Sequence, residues 1–183
     1  MRRVCVIGAG SWGTALAWRL AHNGAAVSLC DPRPGVFPKH VTTELPPTLI
    51  CTTPPARSLS AADMTVVAVP SPHLRAVALS LLAPHLPPAA LVVVASKGLE
   101  EGSLLTPHEV LSGTLPRGAR IVGLGGPSFA AEVAQGLPTC VVLASSSPGS
   151  RNETGSGPPL PRHAVHNAHE GKGTTTPWAP PRS

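Results

Sequence analysis

Tyrosine is missing from this 183-residue chain, and Trp and Phe together supply only five side chains. Charge is scarce too: Asp, Glu, Lys and Arg make up 13% of residues, against roughly 25% in an ordinary globular domain. The formal net charge of +5 is dispersed, and residues 1–147 hold ten Lys/Arg against seven Asp/Glu with no run of basic residues. A nucleic-acid surface clusters its cations and interleaves aromatic rings, so that class is excluded, and mild basicity suits a phosphate-bearing ligand instead. The four cysteines, Cys5, Cys30, Cys51 and Cys140, form no CxxC pair and no metal-ligand spacing. Three of them lie in apolar runs, where a free thiol behaves as a small buried hydrophobe. A reduced, cytoplasmic chain without a metal is expected. No uninterrupted apolar run reaches membrane-spanning length. Arg2-Arg3, an apolar stretch and Ala15-Leu16-Ala17 superficially resemble a secretory signal, but Gly8, Gly10 and Gly13 break that stretch at a spacing with a mechanical meaning of its own.

Strand-like and helix-like segments alternate along most of the chain, the pattern of a parallel sheet with crossover helices. Val4–Ile7 is a short continuous apolar run, as expected for a strand covered on both faces. A helix is expected over Thr14–Asn23, with Gly24 placed to end it. Val27–Cys30 reads as a second strand, Leu49–Cys51 as a weak third, and Thr65–Val69 and Leu91–Ala95 as the clearest of the rest. Leu74, Val77, Ala78, Leu81 and Leu82 form one helical stripe between those two strands. Ile121-Val122 and Cys140–Leu143 are further strand candidates, around a helix near Phe129–Gln135.

The character changes at Ser145. Residues 148–183 hold seven Pro and five Gly and almost no large apolar side chain, so they cannot bury enough surface to offset chain entropy. One domain over 1–147 and a disordered tail over 148–183 are expected. His163, His166 and His169 recur every third residue, but no helical pattern supports a metal site there.

Gly8-Ala9-Gly10-Ser11-Trp12-Gly13 is a GxGxxG run set directly between a strand and a helix. In that position Gly8 permits the turn, Gly10 lets backbone approach a pyrophosphate, and Gly13 lets helix and strand pack closely. The amides at the helix start then face the phosphates, assisted by the helix dipole. The predicted fold is therefore α/β, a Rossmann-type doubly wound, mostly parallel sheet. Asp31 closes the second strand, where a carboxylate accepts hydrogen bonds from an adenosine ribose and repels a 2′-phosphate. An ordinary Asp-Pro turn with Pro32 is the alternative, and Arg33 would instead meet a 2′-phosphate. NAD is expected to bind more tightly, with NADP left open. Val69-Pro70-Ser71 and Ser96-Lys97-Gly98 each end a strong strand, so both loops face the crevice. Lys97 is one of three lysines; it suits a phosphate or a developing oxyanion, or is a solvated loop residue. Gly125-Gly126-Pro127-Ser128-Phe129-Ala130 opens another helix, where amides and the Ser128 hydroxyl are expected to form an anion site.

GAGSWGTALA, AVPS, ASKGLE and GGPSFAAEVAQGLPT occur in an order and spacing that resembles the NAD(P)-dependent glycerol-3-phosphate dehydrogenases, over roughly residues 3–144. The resemblance implies that Ser11, Trp12 and Ala130 lie on the cofactor, that Lys97 touches cofactor and substrate, and that Gly126 and Ser128 hold a small phosphorylated substrate. It implies interconversion of sn-glycerol 3-phosphate and dihydroxyacetone phosphate, the entry to glycerophospholipid synthesis, and a homodimer only in the full-length family. Three departures stand out. Pro32 takes the place of a basic residue or His after strand two. The loop Arg33–Leu45 is shorter than typical and lacks a Tyr-Leu-Pro-Gly segment. The second domain, with the GGxxKN motif whose lysine is the family's proton-transfer base, is not in the chain, and Lys172 lies in no such motif. A truncated enzyme, inactive alone, is the expectation; a non-catalytic dinucleotide-binding module is the alternative.

Overall fold

The computed structural model describes residues 1–31, 33, 46–52 and 56–145, and the backbone of 165–167. The chain order is β1 (Arg3–Ile7), α1 (Ser11–His22), β2 (Ala26–Cys30), β3 (Leu49–Thr52), α2 (Ala56–Ala61), β4 (Met64–Val67) and α3 (Ser71–Val77). A wider π turn (Ala78–Leu82) joins α3 to α4 (Ala83–His85), followed by β5 (Leu91–Val94), α5 (Pro107–Thr114), β6 (Arg120–Gly125), α6 (Ala130–Ala134), β7 (Val141–Ala144) and β8 (Val165–Asn167). The strands form one sheet in the order β3-β2-β1-β4-β5-β6-β7-β8. Neighbours pair parallel from β3 through to β6, while β7 runs antiparallel to β6. The expected doubly wound, mostly parallel sheet is present.

Period-two alternation along fully buried strands sorts the core into two layers. Val4, Val6, Val27, Leu29 and Val93 face one side, where they meet Leu16, Ala17 and Leu20 of α1. Cys5, Ile7, Cys30, Val67, Val92 and Val94 face the other, against Leu59 of α2, the Leu74–Ala78–Leu82 stripe, and Val110 and Leu111 of α5. Both layers exclude water, and α6 packs on α1 outside the first.

α1 begins at Ser11, three residues before the apolar periodicity announces it, and ends as expected with Gly24 at φ 87°. Two helices escaped the sequence reading. α2 has six residues and buries only Leu59. α5 has eight, with Thr106 accepting from the Glu109 N–H while the Glu109 side chain accepts from the Thr106 N–H. Of the segment 148–183, expected to be disordered, only Val165–Asn167 is described, as a short parallel partner to the outer edge of β7. The rest of that expectation, His163 and His169, and the Arg33–Leu45 loop apart from Arg33 itself lie outside the described residues. No described helix is long and apolar enough to cross a membrane.

Candidate functional site: a cleft at the sheet's switch point

From β1 the chain steps outward through β2 to β3 and then crosses back to β4 on the other side of β1, so the carboxyl ends of β1 and β4 flank the point where strand order reverses. A cleft of about 790 Å³ opens there, lined by Gly8, Gly10, Ser11, Trp12, Asp31, Arg33, Lys97, Ser128 and Ala130, among others. Nine of the expected site residues thus converge from β1, α1, β2, β5 and the start of α6. Gly13 and Gly126 are not among its lining residues.

The three glycines of the run carry three different constraints. Gly8 has φ 106°, and a Cβ there would sit 2.6 Å from the Ala68 carbonyl oxygen. Gly13 lies behind the turn, where a Cβ would fall 1.9 Å from the Gly8 oxygen. Gly10 has ordinary extended backbone, φ −70° and ψ 176°, and a Cβ there would meet nothing within 4 Å. The fold requires glycine at Gly8 and Gly13. At Gly10 it does not, and the empty space faces the cleft. Gly10 is also the cap of α1 and has no side chain to occupy the helix's first amides, and the first turn holds no acidic residue. A cradle left open at an uncapped helix start fits a pyrophosphate.

Asp31 lines the cleft with its carboxylate engaged by the protein's own donors. Its Oδ2 accepts the Ala9 N–H at 2.9 Å and Arg33 Nη2 at 3.1 Å; its Oδ1 accepts the Arg33 N–H and Nε, each at 3.0 Å. The carboxylate is 1% exposed. Burial pushes its pKa up, but hydrogen bonds from the Arg33 side chain, from the Ala9 and Arg33 amides, and the guanidinium charge outweigh that and hold it below the ordinary value. Both oxygens are already partnered within the protein. The residue ties the glycine turn to the end of β2, and Arg33, whose side chain is 66% exposed, is the group presented at this end of the cleft.

Lys97 brings three expected site residues together. Its Nζ lies 5.2 Å from the centroid of the Trp12 ring, a cation–π contact, and donates to the Ser128 carbonyl at 3.3 Å. The loop that carries it is fixed from behind by Arg75 of α3, which donates to Glu100 through Nε at 2.8 Å and Nη2 at 2.6 Å. The Arg75 guanidinium, seconded by the Ser103 hydroxyl, draws the Glu100 pKa down from 4.5 to about 2. A carboxyl with a depressed folded-state pKa adds stability above its ordinary pKa and loses it as pH falls through the folded value. The thermal stability lost in Glu100→Gln is therefore expected to be constant at neutral pH and to shrink as pH falls from about 4.5 toward about 2. Melting curves across that range check this; a difference independent of pH would count against the ion pair.

The Gly125–Ala130 segment leads into α6 through a closed turn. α6 starts at Ala130 with Phe129 as its cap, and no side chain caps it. The Ser128 N–H and hydroxyl both turn back to the Gly126 carbonyl, at 2.9 and 3.4 Å. The Ser128 groups expected to receive an anion are thus engaged locally, because the turn closes before the helix begins. Gly126 has φ 121°, and a Cβ would come 2.7 Å from the Cys140 carbonyl oxygen, so its glycine answers to β7. Sequence reasoning assigned no site role to His73 or Ala76 and read Val77 only as part of an apolar stripe, yet all three line the cleft from α3; His73 sits three residues past Pro70, one turn into the helix that the crevice loop starts.

Residues 3–150 match the family described as NAD-dependent glycerol-3-phosphate dehydrogenase N-terminus. The chain is 42% identical over 151 residues to a glycerol-3-phosphate dehydrogenase [NAD(P)+] of Caulobacter vibrioides, covering 78% of this chain and 45% of that protein. It is 38% identical over 155 residues to one of Anaeromyxobacter sp., covering 78% of this chain and 46% of the relative. The crystal structure of glycerol-3-phosphate dehydrogenase from Coxiella burnetii superposes with a TM-score of 0.76 at 28% identity, over 91% of this chain and 54% of that one. A Plasmodium falciparum pyrroline carboxylate reductase, 16% identical with a TM-score of 0.67, shares the fold alone. The chain spans about half the length of the curated relatives it matches. On this match, and on a cleft assembled from the motifs that resemble that family, the chain belongs to the NAD-dependent glycerol-3-phosphate dehydrogenase N-terminal family.

Proposed function

We propose that residues 1–147 form the dinucleotide-binding half of an oxidoreductase that interconverts sn-glycerol 3-phosphate and dihydroxyacetone phosphate. The observation that carries the reading is Gly10: the fold tolerates a side chain there, yet the position holds glycine at the uncapped start of α1, facing the cleft. The nicotinamide of a bound NAD(P) supplies the hydride chemistry. This chain's residues bind and orient. The amides after Gly10 take the pyrophosphate, Arg33 meets the adenosine end, and Trp12 with Lys97 forms the opposite wall. Lys97, a cleft-lining cation beside the end of β5, is the group assigned to a phosphorylated substrate. The proton-transfer lysine belongs to a GGxxKN segment that these residues do not contain, so the chain alone is expected to bind without turnover. None of the four cysteines is joined in a disulfide, and Cys5 and Cys30 lie in buried contact at 3.8 Å as thiols, which suits a reducing cytoplasm.

The test is titration of NADH fluorescence with the 183-residue chain. Saturable binding, competed by ADP-ribose, is expected, with no oxidation of NADH on addition of dihydroxyacetone phosphate. Absence of saturable binding would sink the reading. Turnover by the chain alone would place the base among its own residues and overturn the division of labour.

A further inference from the structure

Three buried side-chain polar atoms in the described residues lack a hydrogen-bond partner: Trp12 Nε1, Arg19 Nε and Ser96 Oγ. Ser96 is the informative one. It sits just past β5, where the Ala95 N–H is held by the Val67 carbonyl at 2.8 Å, and it lines the cleft beside Lys97. A hydroxyl that has given up water without gaining a partner is unfavourable. Such groups are uncommon and call for an explanation.

The order of strands across the cleft supplies one. Arg33 and Asp31 stand at the end of β2, the glycine run at β1, Ala68–Pro70 at β4 and Ser96 at β5. Successive strands are spaced by about 4.8 Å, so β2 and β5 lie about 14 Å apart across the sheet. With the pyrophosphate at β1 and the adenosine toward β2, the other half of a dinucleotide falls on the β4–β5 side. The wall there is mostly apolar, built from Val69, Pro70 and Ala95; its polar side chains are His73, Lys97 and Ser96, and of these only the Ser96 hydroxyl is buried without a partner. A flat ring bearing one carboxamide matches that wall: the ring takes the apolar surface, and the amide offers both a donor and an acceptor to a hydroxyl able to play either part.

We propose that Ser96 is a positioning residue whose hydroxyl turns about χ1 into the cleft and hydrogen-bonds the nicotinamide carboxamide. The inference rests on the dinucleotide reading above and adds which side chain sets the ring's orientation. The rotation exchanges one staggered well for another, and it converts an unmade hydrogen bond in the free protein into a made one in the complex.

A purely structural hydroxyl and a ligand-directed one predict opposite outcomes for Ser96→Ala. The experiment uses the full chain, NADH and ADP-ribose as probes, calorimetric Kd values, and the melting temperature of the ligand-free protein. ADP-ribose shares the adenosine and pyrophosphate but lacks the nicotinamide. Ser96→Ala is expected to bind NADH about three- to tenfold more weakly than wild type, the worth of one hydrogen bond. ADP-ribose affinity should stay within about twofold. The ligand-free melting temperature should hold or rise, since an unpaired buried hydroxyl has been removed. Ser96→Thr keeps the hydroxyl and should keep the preference for NADH over ADP-ribose. Unchanged NADH affinity in Ser96→Ala, or equal losses for both ligands, would overturn the proposal while leaving the dinucleotide reading intact. Failure of the wild-type chain to bind either probe would overturn both.

Discussion

Gly13→Ala is expected to destabilise the fold by about 3 kcal/mol or more, whereas Gly10→Val should leave stability nearly untouched and remove dinucleotide binding. The two positions belong to one motif and are three residues apart, yet the constraints on them come from different molecules. A methyl at Gly13 would lie 1.9 Å from the Gly8 carbonyl oxygen and 3.2 Å from the Ala68 Cβ. The first contact is with backbone, which cannot swing aside as a flexible side-chain tip would. Relief requires α1 to lift from the β1–β4 surface, opening the layer built on Leu16, Ala17 and Leu20. A loss of that size corresponds to a fall of about 10 °C in melting temperature for a chain of this length. At Gly10 the backbone is one that any residue adopts, and the space around the added Cβ is empty. Replacing a cap glycine costs about 1 kcal/mol or less. The valine branches would stand where the pyrophosphate must approach the amides, so NADH affinity should drop at least tenfold. Melting curves and NADH titration on both variants check the pair. A large loss of stability in Gly10→Val, or undiminished NADH binding by it, would remove the ground for assigning that space to a ligand.

That contrast marks the boundary between what the residues announce and what only geometry supplies. Burial on both faces leaves a continuous apolar run, so β1, β2, β4 and β5 are legible, and the helical stripe Leu74–Ala78–Leu82 is legible by its spacing. Direction is not: Val141–Ala144 reads as a buried strand whichever way it runs, and its antiparallel pairing with β6 leaves no trace in periodicity. α5 escaped because eight residues bury only Val110 and Leu111, although Thr106-Pro107-His108-Glu109 carried the signature of a capped helix start. The site's membership was likewise legible from motif and strand end. The partners of its side chains were not. Ser128 turns to Gly126, Gly126 answers to Cys140, and Asp31 is spoken for by Ala9 and Arg33. Ser128–Gly126 and Asp31–Arg33 close local turns, while Gly126–Cys140 and Asp31–Ala9 join segments distant in sequence, and composition specifies neither kind of pairing.

The last of them bears on the choice between NAD and NADP. NADP is expected to bind the wild-type chain at least as tightly as NAD. The case for NAD treated Asp31 as a bare carboxylate at the adenosine ribose, repelling a 2′-phosphate. In the fold that carboxylate is 1% exposed, its oxygens take the Ala9 amide and a two-point contact from the Arg33 guanidinium, and its charge is offset by the cation in front of it. The held guanidinium is also pre-oriented, so little side-chain freedom is lost when a phosphate arrives, and charge-assisted contacts of this kind are the stronger class. A ribose hydroxyl would have to displace Arg33 to reach Asp31, and the uncharged 2′-hydroxyl of NAD does not drive that exchange. Arg33→Ala removes the cation and uncovers the carboxylate in one step. The ratio of NADP to NAD affinity should then fall by on the order of tenfold, with NAD preferred. The Ala9 contact to Asp31 persists in that variant, so the glycine turn and the melting temperature should change little. Titrating both cofactors into wild type and Arg33→Ala decides it: wild-type chain binding NAD about fivefold or more tightly than NADP would restore Asp31 to the role that its sequence position suggests.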